Sequence, residues 1–116
     1  MKPEDIHEAF AKALYQEDLA ALAALYTPDA VFHPGAGREP VQGQAAILKE
    51  LEVFLPVAAS MKPVDRTVII NGDTALIKLV WKMTTEAGED RQFNALEVLT
   101  RYDGRWLYAI DNPYGV

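Results

Sequence analysis

The stretch ALIKLVWKM, residues 75–83, decides the fold class because its apolar and charged residues alternate. Lys78 and Lys82 fall on one face of an extended strand. The apolar residues on the opposite face are Ala75, Ile77, Leu79, Trp81 and Met83. This period of two residues predicts a β-strand that buries one face in a core.

Turn signals around this strand predict an antiparallel meander. Asn71-Gly72 precedes the strand and Asp103-Gly104 comes later, and both dipeptides tolerate the positive φ of a tight hairpin turn. A looser turn through Ala87-Gly88 joins the intervening pair of strands. We therefore predict four consecutive antiparallel strands between Val64 and Asp111.

The first half of the chain has helical periodicity instead. Apolar residues recur at three- and four-residue spacing from Ile6 to Leu14, and again from Leu19 to Tyr26. Asp18 is a suitable N-cap for the second of these helices. Thr27-Pro28 is expected to end it, because the residue before a proline avoids helical geometry.

A short strand and a third helix complete the predicted elements. The apolar piece from Ala30 to His33 is typical of a strand, and residues 34–40 are expected to form a loop. The third helix follows Gly43 and ends near Pro56. Helices that precede an antiparallel sheet predict an α+β domain: a cone-shaped roll of three N-terminal helices on a curved, mainly antiparallel sheet.

Length and composition predict one acidic domain over residues 1–116. The chain has 116 residues and a mass of 12.9 kDa, the size of one compact domain. Its 11 Lys and Arg residues against 17 Asp and Glu residues give a net charge of -6. Such a charge repels phosphates, so we expect no nucleic-acid partner. The absence of cysteine excludes disulfides and thiolate chemistry.

No segment has the pattern of a membrane anchor, an export signal or a cofactor site. The longest nearly unbroken apolar run, residues 19–26, is shorter than the roughly 18 residues that suggest a membrane span. Two histidines far apart give no metal-ligand spacing, and residues 35–37 lack the strand-to-helix setting of a dinucleotide loop. We expect a cytoplasmic protein that binds no membrane, metal ion or cofactor.

The outer face of the predicted sheet still carries apolar residues. Leu76, Val80 and one side of the strand at 93–102 fall on the face that points away from the helices. Pairing with a second copy would cover them, so we expect a homodimer through the sheet face.

Several stretches of the chain resemble the nuclear-transport-factor-2-like superfamily, and more narrowly its ketosteroid-isomerase-homologue and SnoaL-like branches. The stretches that carry the resemblance are residues 18–22, 25–34, 43–47, 71–75, 103–106 and 110–113. The resemblance implies a cystatin-like fold with a central pocket. It leaves the activity open, because isomerases, cyclases, epoxide hydrolases, dehydratases and transport adaptors share this fold.

The catalytic residues of steroid isomerases match this sequence poorly. The position of their oxyanion-binding tyrosine corresponds to Phe10, which cannot donate a hydrogen bond. Their base position falls on His33 or Pro34. Their second, protonated acid falls near Val98, and the neighbouring Glu97 would then lie on the opposite strand face. The resemblance therefore predicts no straightforward ketosteroid isomerase.

His33 and Asp111 are the candidate catalytic residues. A histidine at the end of the first strand is suited to act as a general base, and Asp111 would orient it. Both residues also suit structural roles, His33 by packing beside Pro34 and Asp111 by turn formation together with Asn112. Glu97 is expected to pair with Arg or Lys across the sheet or dimer face, with a protonated side chain in a cavity as the alternative. His7 is expected to be exposed to solvent.

The expected ligand is an apolar small molecule. The residues predicted to line its pocket are Phe10, Tyr15, Tyr26, Trp81, Trp106, Tyr108 and Asn112. Two functions remain open: cofactor-free acid–base catalysis by an isomerase, cyclase or hydrolase, or a non-catalytic dimeric module whose pocket is filled by side chains. A cavity of about 300 Å³ would favour the first, whereas a solid interior would favour the second.

Overall fold

Three helices pack on one six-stranded sheet in the computed structural model, which describes residues 2–35 and 37–115. The strands are β1 (Tyr26–Phe32), β2 (Val41–Gln42), β3 (Lys62–Asn71), β4 (Thr74–Thr84), β5 (Asp90–Tyr102) and β6 (Arg105–Asn112). Within the predicted loop at 34–40, Ala36 lies outside the described residues. The α+β class predicted from the sequence is confirmed.

The helices occupy the first half of the chain, as the periodicity predicted. They are α1 (Ile6–Tyr15), α2 (Leu19–Ala23) and α3 (Gln44–Leu51), with 3₁₀ turns at Pro3–Asp5 and Glu52–Ser60. Asp18 caps α2, because its carboxylate accepts a hydrogen bond of 3.1 Å from the backbone N–H of Ala21.

The predicted meander is confirmed, and β1 extends it. The strand order is β2-β1-β6-β5-β4-β3, in which β3 to β6 are consecutive antiparallel neighbours. β1 lies parallel to β6 and continues the sheet beyond the meander. The backbone N–H of His33 prolongs this pairing with a bond of 2.9 Å to the carbonyl of Asp111.

The boundary between the second helix and the first strand differs from the prediction. The helix ends at Ala23, and Tyr26 begins β1, with Thr27-Pro28 inside the strand instead of ending the helix. The cause is long-range pairing, because the Tyr108 N–H donates to the carbonyl of Leu25 over 2.8 Å. A distant strand thus overrides the local helical spacing.

One predicted hairpin turn has the expected geometry and the other is shifted. Asp103 and Gly104 both have positive φ, 50° and 78°, as a two-residue primed turn requires. At the β3–β4 turn, Asn71 still pairs with Thr74, so the turn residues are Gly72 and Asp73. Only Gly72 has a positive φ there, at 59°.

The core lies between the helices and the inner face of the sheet. The alternation predicted for β4 is confirmed, since Ala75, Ile77 and Trp81 are buried and Lys78 is exposed. Among the described residues, no helix is long and apolar enough to cross a membrane. The cytoplasmic location stays a prediction.

Candidate functional site

Two acidic side chains lie next to each other inside the core. Glu97 on β5 and Asp111 on β6 are direct partners in the strand register, and each is only 4% exposed. Both line the same internal cavity. Two carboxyl groups this close and this deeply buried do not both ionise readily, because each charge loses its water and repels the other.

Of the two positions considered for Glu97, the structure shows the one in the cavity. The favoured pairing with a cation across the sheet or dimer face was wrong, since Glu97 points inward, as do its strand neighbours Ala95 and Leu99. Val98 points outward instead. A shift of one residue in strand register exchanges the inward and outward faces of β5, and this places the carboxyl group of Glu97 in the cavity.

His7 holds Glu97 from the helical side of the cavity. Nε2 of His7 lies 2.6 Å from Oε1 of Glu97, and Nε of Arg66 on β3 donates to Nδ1 of His7 over 2.9 Å. The expectation of an exposed His7 was wrong, since it is 8% exposed. It shares the inner face of α1 with Phe10 and Leu14, which also line the cavity.

Two buried tyrosines support the acid pair. The hydroxyl of Tyr26 donates to Oδ2 of Asp111 over 2.6 Å, and the ring of Tyr26 lies 5.0 Å from that of Tyr108. Burial raises the pKa of both phenols well above 10, and nearby carboxylates raise it further. Both hydroxyls therefore stay protonated at neutral pH and remain hydrogen-bond donors.

Asp111 is the carboxyl group that keeps its proton. Burial, and after it the negative charge of Glu97, raises the pKa of Asp111 from 3.8 to about 8, although the hydrogen bond from Tyr26 opposes the rise. This rise favours the neutral form of the Asp111 carboxyl group at neutral pH. In this pair, Asp111 can donate a hydrogen bond and Glu97 can accept one.

The cavity beside these acids is small and mostly apolar. Its volume is about 70 Å³, below the roughly 300 Å³ that would favour catalysis on a ligand of ordinary size, but it is not a solid interior either. Phe54 and Trp81 pack edge to face in its wall, with ring centroids 6.0 Å apart. Lys62, an exposed residue of β3, also lines it. The full lining is His7, Phe10, Ala11, Leu14, Phe32, Leu51, Phe54, Met61, Lys62, Pro63, Leu79, Trp81, Ala95, Glu97, Tyr108, Asp111 and Pro113.

Some of the predicted site residues meet at this cavity. Asp111, Phe10, Trp81 and Tyr108 line it, and Tyr26 lies directly behind Asp111.

Other predicted site residues lie elsewhere. Tyr15 is 67% exposed at the end of α1. Trp106 is buried, and Cζ of the Arg101 guanidinium lies 4.8 Å from the centroid of the Trp106 ring. Asn112 is buried outside the cavity wall, and within the described residues its amide oxygen has no hydrogen-bond partner. His33 is half-buried outside the wall, and its Nδ1 accepts a bond of 3.2 Å from Gly35 N–H.

Two residues of the site, His7 and Arg66, were not predicted from the sequence, and the face of Glu97 was left open. His7 and Glu97 carried a signal in the sequence. His7 is spaced three residues before Phe10, on the apolar face of α1, and Glu97 is the only charged residue between Ala95 and Leu99. Arg66 carried none, because its role depends on where β3 lies relative to α1. In the part of the chain described, no three His, Asp or Glu side chains are grouped so as to hold a metal ion.

The family comparison agrees with this fold. A model described as the SnoaL-like domain matches residues 7–109. No curated protein matches the chain.

Solved structures from several bacteria have the same fold. A provisionally assigned ketosteroid isomerase from Shewanella frigidimarina superposes with a TM-score of 0.81 at 16% identity, covering 95% of this chain and 92% of that one. A provisionally assigned calcium/calmodulin-dependent protein kinase II association domain from Xanthomonas campestris has a TM-score of 0.73 at 26% identity, with 93% and 82% covered. A provisionally assigned dehydratase from Streptomyces avermitilis has a TM-score of 0.69 at 17% identity, with 90% of its chain and 95% of this one covered.

The raised pKa of Asp111 predicts a pH-dependent stability. The folded protein holds a proton on Asp111 that the unfolded chain has released, so this residue makes the free energy of unfolding fall as the pH rises from about 4 to about 8. The variant Asp111→Asn is neutral at every pH and should lose this part of the slope. Urea unfolding across that range measures it, with the exposed Asp65→Asn as the matched control that keeps the wild-type slope. Parallel curves for Asp111→Asn and the wild type would contradict the assignment.

Proposed function

The chain belongs to the SnoaL-like domain family of the nuclear-transport-factor-2-like superfamily, and we propose that it moves a proton on a small, neutral carbonyl compound bound in its internal cavity. The observation that carries the proposal is the acid pair, in which the pKa of Asp111 is raised and Glu97 lies 2.6 Å from Nε2 of His7. Side chains of this chain would supply both the hydrogen-bond donor and the base.

Asp111 would stabilise the negative charge that develops on the substrate oxygen. A neutral carboxyl group donates a hydrogen bond to an enolate oxygen, and such a donor is most effective where water is excluded. Tyr26 fixes this carboxyl group by bonding Oδ2, which leaves its other oxygen for the ligand. Phe10 stands where steroid isomerases have a tyrosine donor, so the donor here would be a different residue.

Glu97 would be the base. Its carboxylate takes a proton from the carbon next to the carbonyl group, and the electron pair of that C–H bond moves onto the oxygen that Asp111 holds. In an unsaturated ketone, Glu97 then returns the proton to the far end of the conjugated enolate. One C–H bond breaks and one forms, so the ketone is isomerised without a net loss of protons.

The walls of the cavity select the ligand. Aromatic and aliphatic side chains supply most of the wall, and the negative charge of Glu97 repels an anionic ligand. A volume of about 70 Å³ suits a slender compound of few atoms. The isomerase and dehydratase assignments of two structures with this fold are compatible with the proposal, but at 16% and 17% identity they show the fold alone.

The experiment uses 4-penten-2-one, a slender β,γ-unsaturated ketone. The wild type should convert it to the conjugated 3-penten-2-one, which is followed by ultraviolet absorbance. We expect Glu97→Gln to lower the turnover about 10²-fold or more, because it removes the base. Asp111→Leu should lower it by about 10²-fold to 10³-fold, whereas Asp111→Asn keeps a donor and should lose less.

Variants at two other residues, Arg91 and His33, supply the control and the outcome that would contradict the role of Glu97. Arg91→Ala changes an exposed residue whose ion pair is with the exposed Glu89, and it should leave the turnover unchanged. Loss of turnover in His33→Ala together with full turnover in Glu97→Gln would make His33 the base instead. No isomerisation and no rise in Tm with this ketone would reject the proposal.

The outer face of the sheet favours association as well. Four apolar residues of neighbouring strands stand opposite one another in one row: Ile69, Leu76, Val98 and Ile110. Three of them are substantially exposed, with 60% for Ile69, 39% for Leu76 and 46% for Ile110. An isologous contact with a second copy would cover the row, which supports both the homodimer and the alternative function as a dimeric module.

Sedimentation equilibrium tests the homodimer. The wild type should sediment as a dimer, and Leu76→Glu should sediment as a monomer because two like charges would meet in the interface. Ile70→Glu is the matched control, since Ile70 is 54% exposed but lies outside the row. A monomeric wild type, or a dimeric Leu76→Glu variant, would reject association through this face.

A further inference from the structure

A chain of side chains connects the surface of the protein with the acid pair. It begins at Arg66, an exposed residue of the edge strand β3, passes through the buried His7 and ends at Glu97. The two contacts of the imidazole are 2.9 Å on Nδ1 and 2.6 Å on Nε2. Both ring nitrogens of His7 are therefore engaged, one on each side.

The chemistry of arginine decides which ring nitrogen carries the proton. The Nε–H of Arg66 can only donate, so Nδ1 of His7 must offer its lone pair. The proton of a neutral imidazole then sits on Nε2 and points at the carboxylate of Glu97. The opposite tautomer would bring the lone pair of Nε2 against that of the carboxylate oxygen and an N–H against the N–H of Arg66.

We propose that Arg66 holds His7 as a fixed hydrogen-bond donor to Glu97, which makes His7 and Arg66 positioning residues and leaves the proton transfer to Glu97. The assignment of the proton transfer to Glu97 rests on the proposed function. The tautomer of His7 and its dependence on Arg66 are properties of the free protein, so they do not rest on the proposed function.

The position of Arg66 explains how a surface residue acts on a buried site. Arg66 is the register partner of Leu79, whose side chain lines the cavity wall. The positive charge of Arg66 also lowers the pKa of Tyr108, against the larger effects that raise it, so its field reaches the cavity. A histidine capped in this way has no free nitrogen with which to exchange protons with solvent, and it serves to aim the carboxylate.

Nitrogen-15 NMR of the free protein tests the tautomer. The chain has two histidines, so His33 gives an internal reference in the same spectrum. In the wild type at neutral pH we expect one protonated nitrogen in His7, at Nε2, and an unprotonated Nδ1. In Arg66→Ala the Nδ1 lone pair loses its partner, and the signals of His7 should shift toward a mixture of tautomers or an imidazolium, with His33 unchanged.

One matched variant completes this test. Arg91→Ala, which removes another exposed arginine, should leave the signals of His7 as in the wild type. A proton on Nδ1 in the wild type would overturn the inference. So would an unchanged His7 spectrum in Arg66→Ala.

The carboxyl carbon-13 signal of Glu97 tests the positioning role. His7→Gln retains one acceptor and one donor, so we expect the Glu97 signal to stay near its wild-type position. His7→Phe removes both, and the signal should move while the dispersed amide spectrum shows that the protein is folded. Equal spectra for the Gln and Phe variants would overturn the positioning role.

Turnover of 4-penten-2-one distinguishes failure of the proposed function from failure of the positioning role of His7. If the proposed function fails, no variant isomerises 4-penten-2-one, yet the nitrogen-15 result still stands. If only the positioning role fails, the wild type isomerises the ketone and His7→Phe does so at the same rate. We expect His7→Gln to retain more turnover than His7→Phe by about tenfold or more, as for other residues that hold a functional group in place.

Discussion

Two carboxyl groups buried side by side on β5 and β6 are the constraint on which the rest of the site depends. Glu97 and Asp111 are register partners at 4% exposure, where ionising both would be costly. Hydrogen bonds from the surrounding side chains offset part of this cost. His7 bonds Glu97 and is itself bonded by Arg66, Tyr26 donates to Asp111, and the pKa of Asp111 is raised. A generic apolar core would need none of these polar partners, so their convergence on one cavity distinguishes this interior from simple packing.

The sequence predicts the parts of the fold that depend on local pattern. The alternation at 75–83, the two hairpin turns and the helical spacing before residue 15 each use information from neighbouring residues, and each led to the observed elements. The start of β1 was missed because its partner, β6, lies about 80 residues away along the chain. Local spacing carries no information on such a pairing.

The site was predicted only in part, for a related reason. Asp111 and three of the predicted pocket aromatics, Phe10, Trp81 and Tyr108, line the cavity. The face that Glu97 occupies stayed open between a pairing across the sheet and a place in a cavity, because a shift of one residue in strand register exchanges inward and outward side chains. His7 and Arg66 required the packing of α1 on β3, which no single stretch of sequence encodes. Family membership leaves the chemistry open, because the position of the steroid-isomerase tyrosine falls on Phe10 of α1, which cannot donate a hydrogen bond.

Carbon-13 NMR of the Asp111 side-chain carboxyl group, followed against pH in the free protein, reports its proton without a substrate. We expect a neutral Asp111 at neutral pH that ionises only near pH 8, and an earlier ionisation in Glu97→Gln, where the repelling charge is gone. An Asp111 that is already ionised at pH values below about 5 would contradict it.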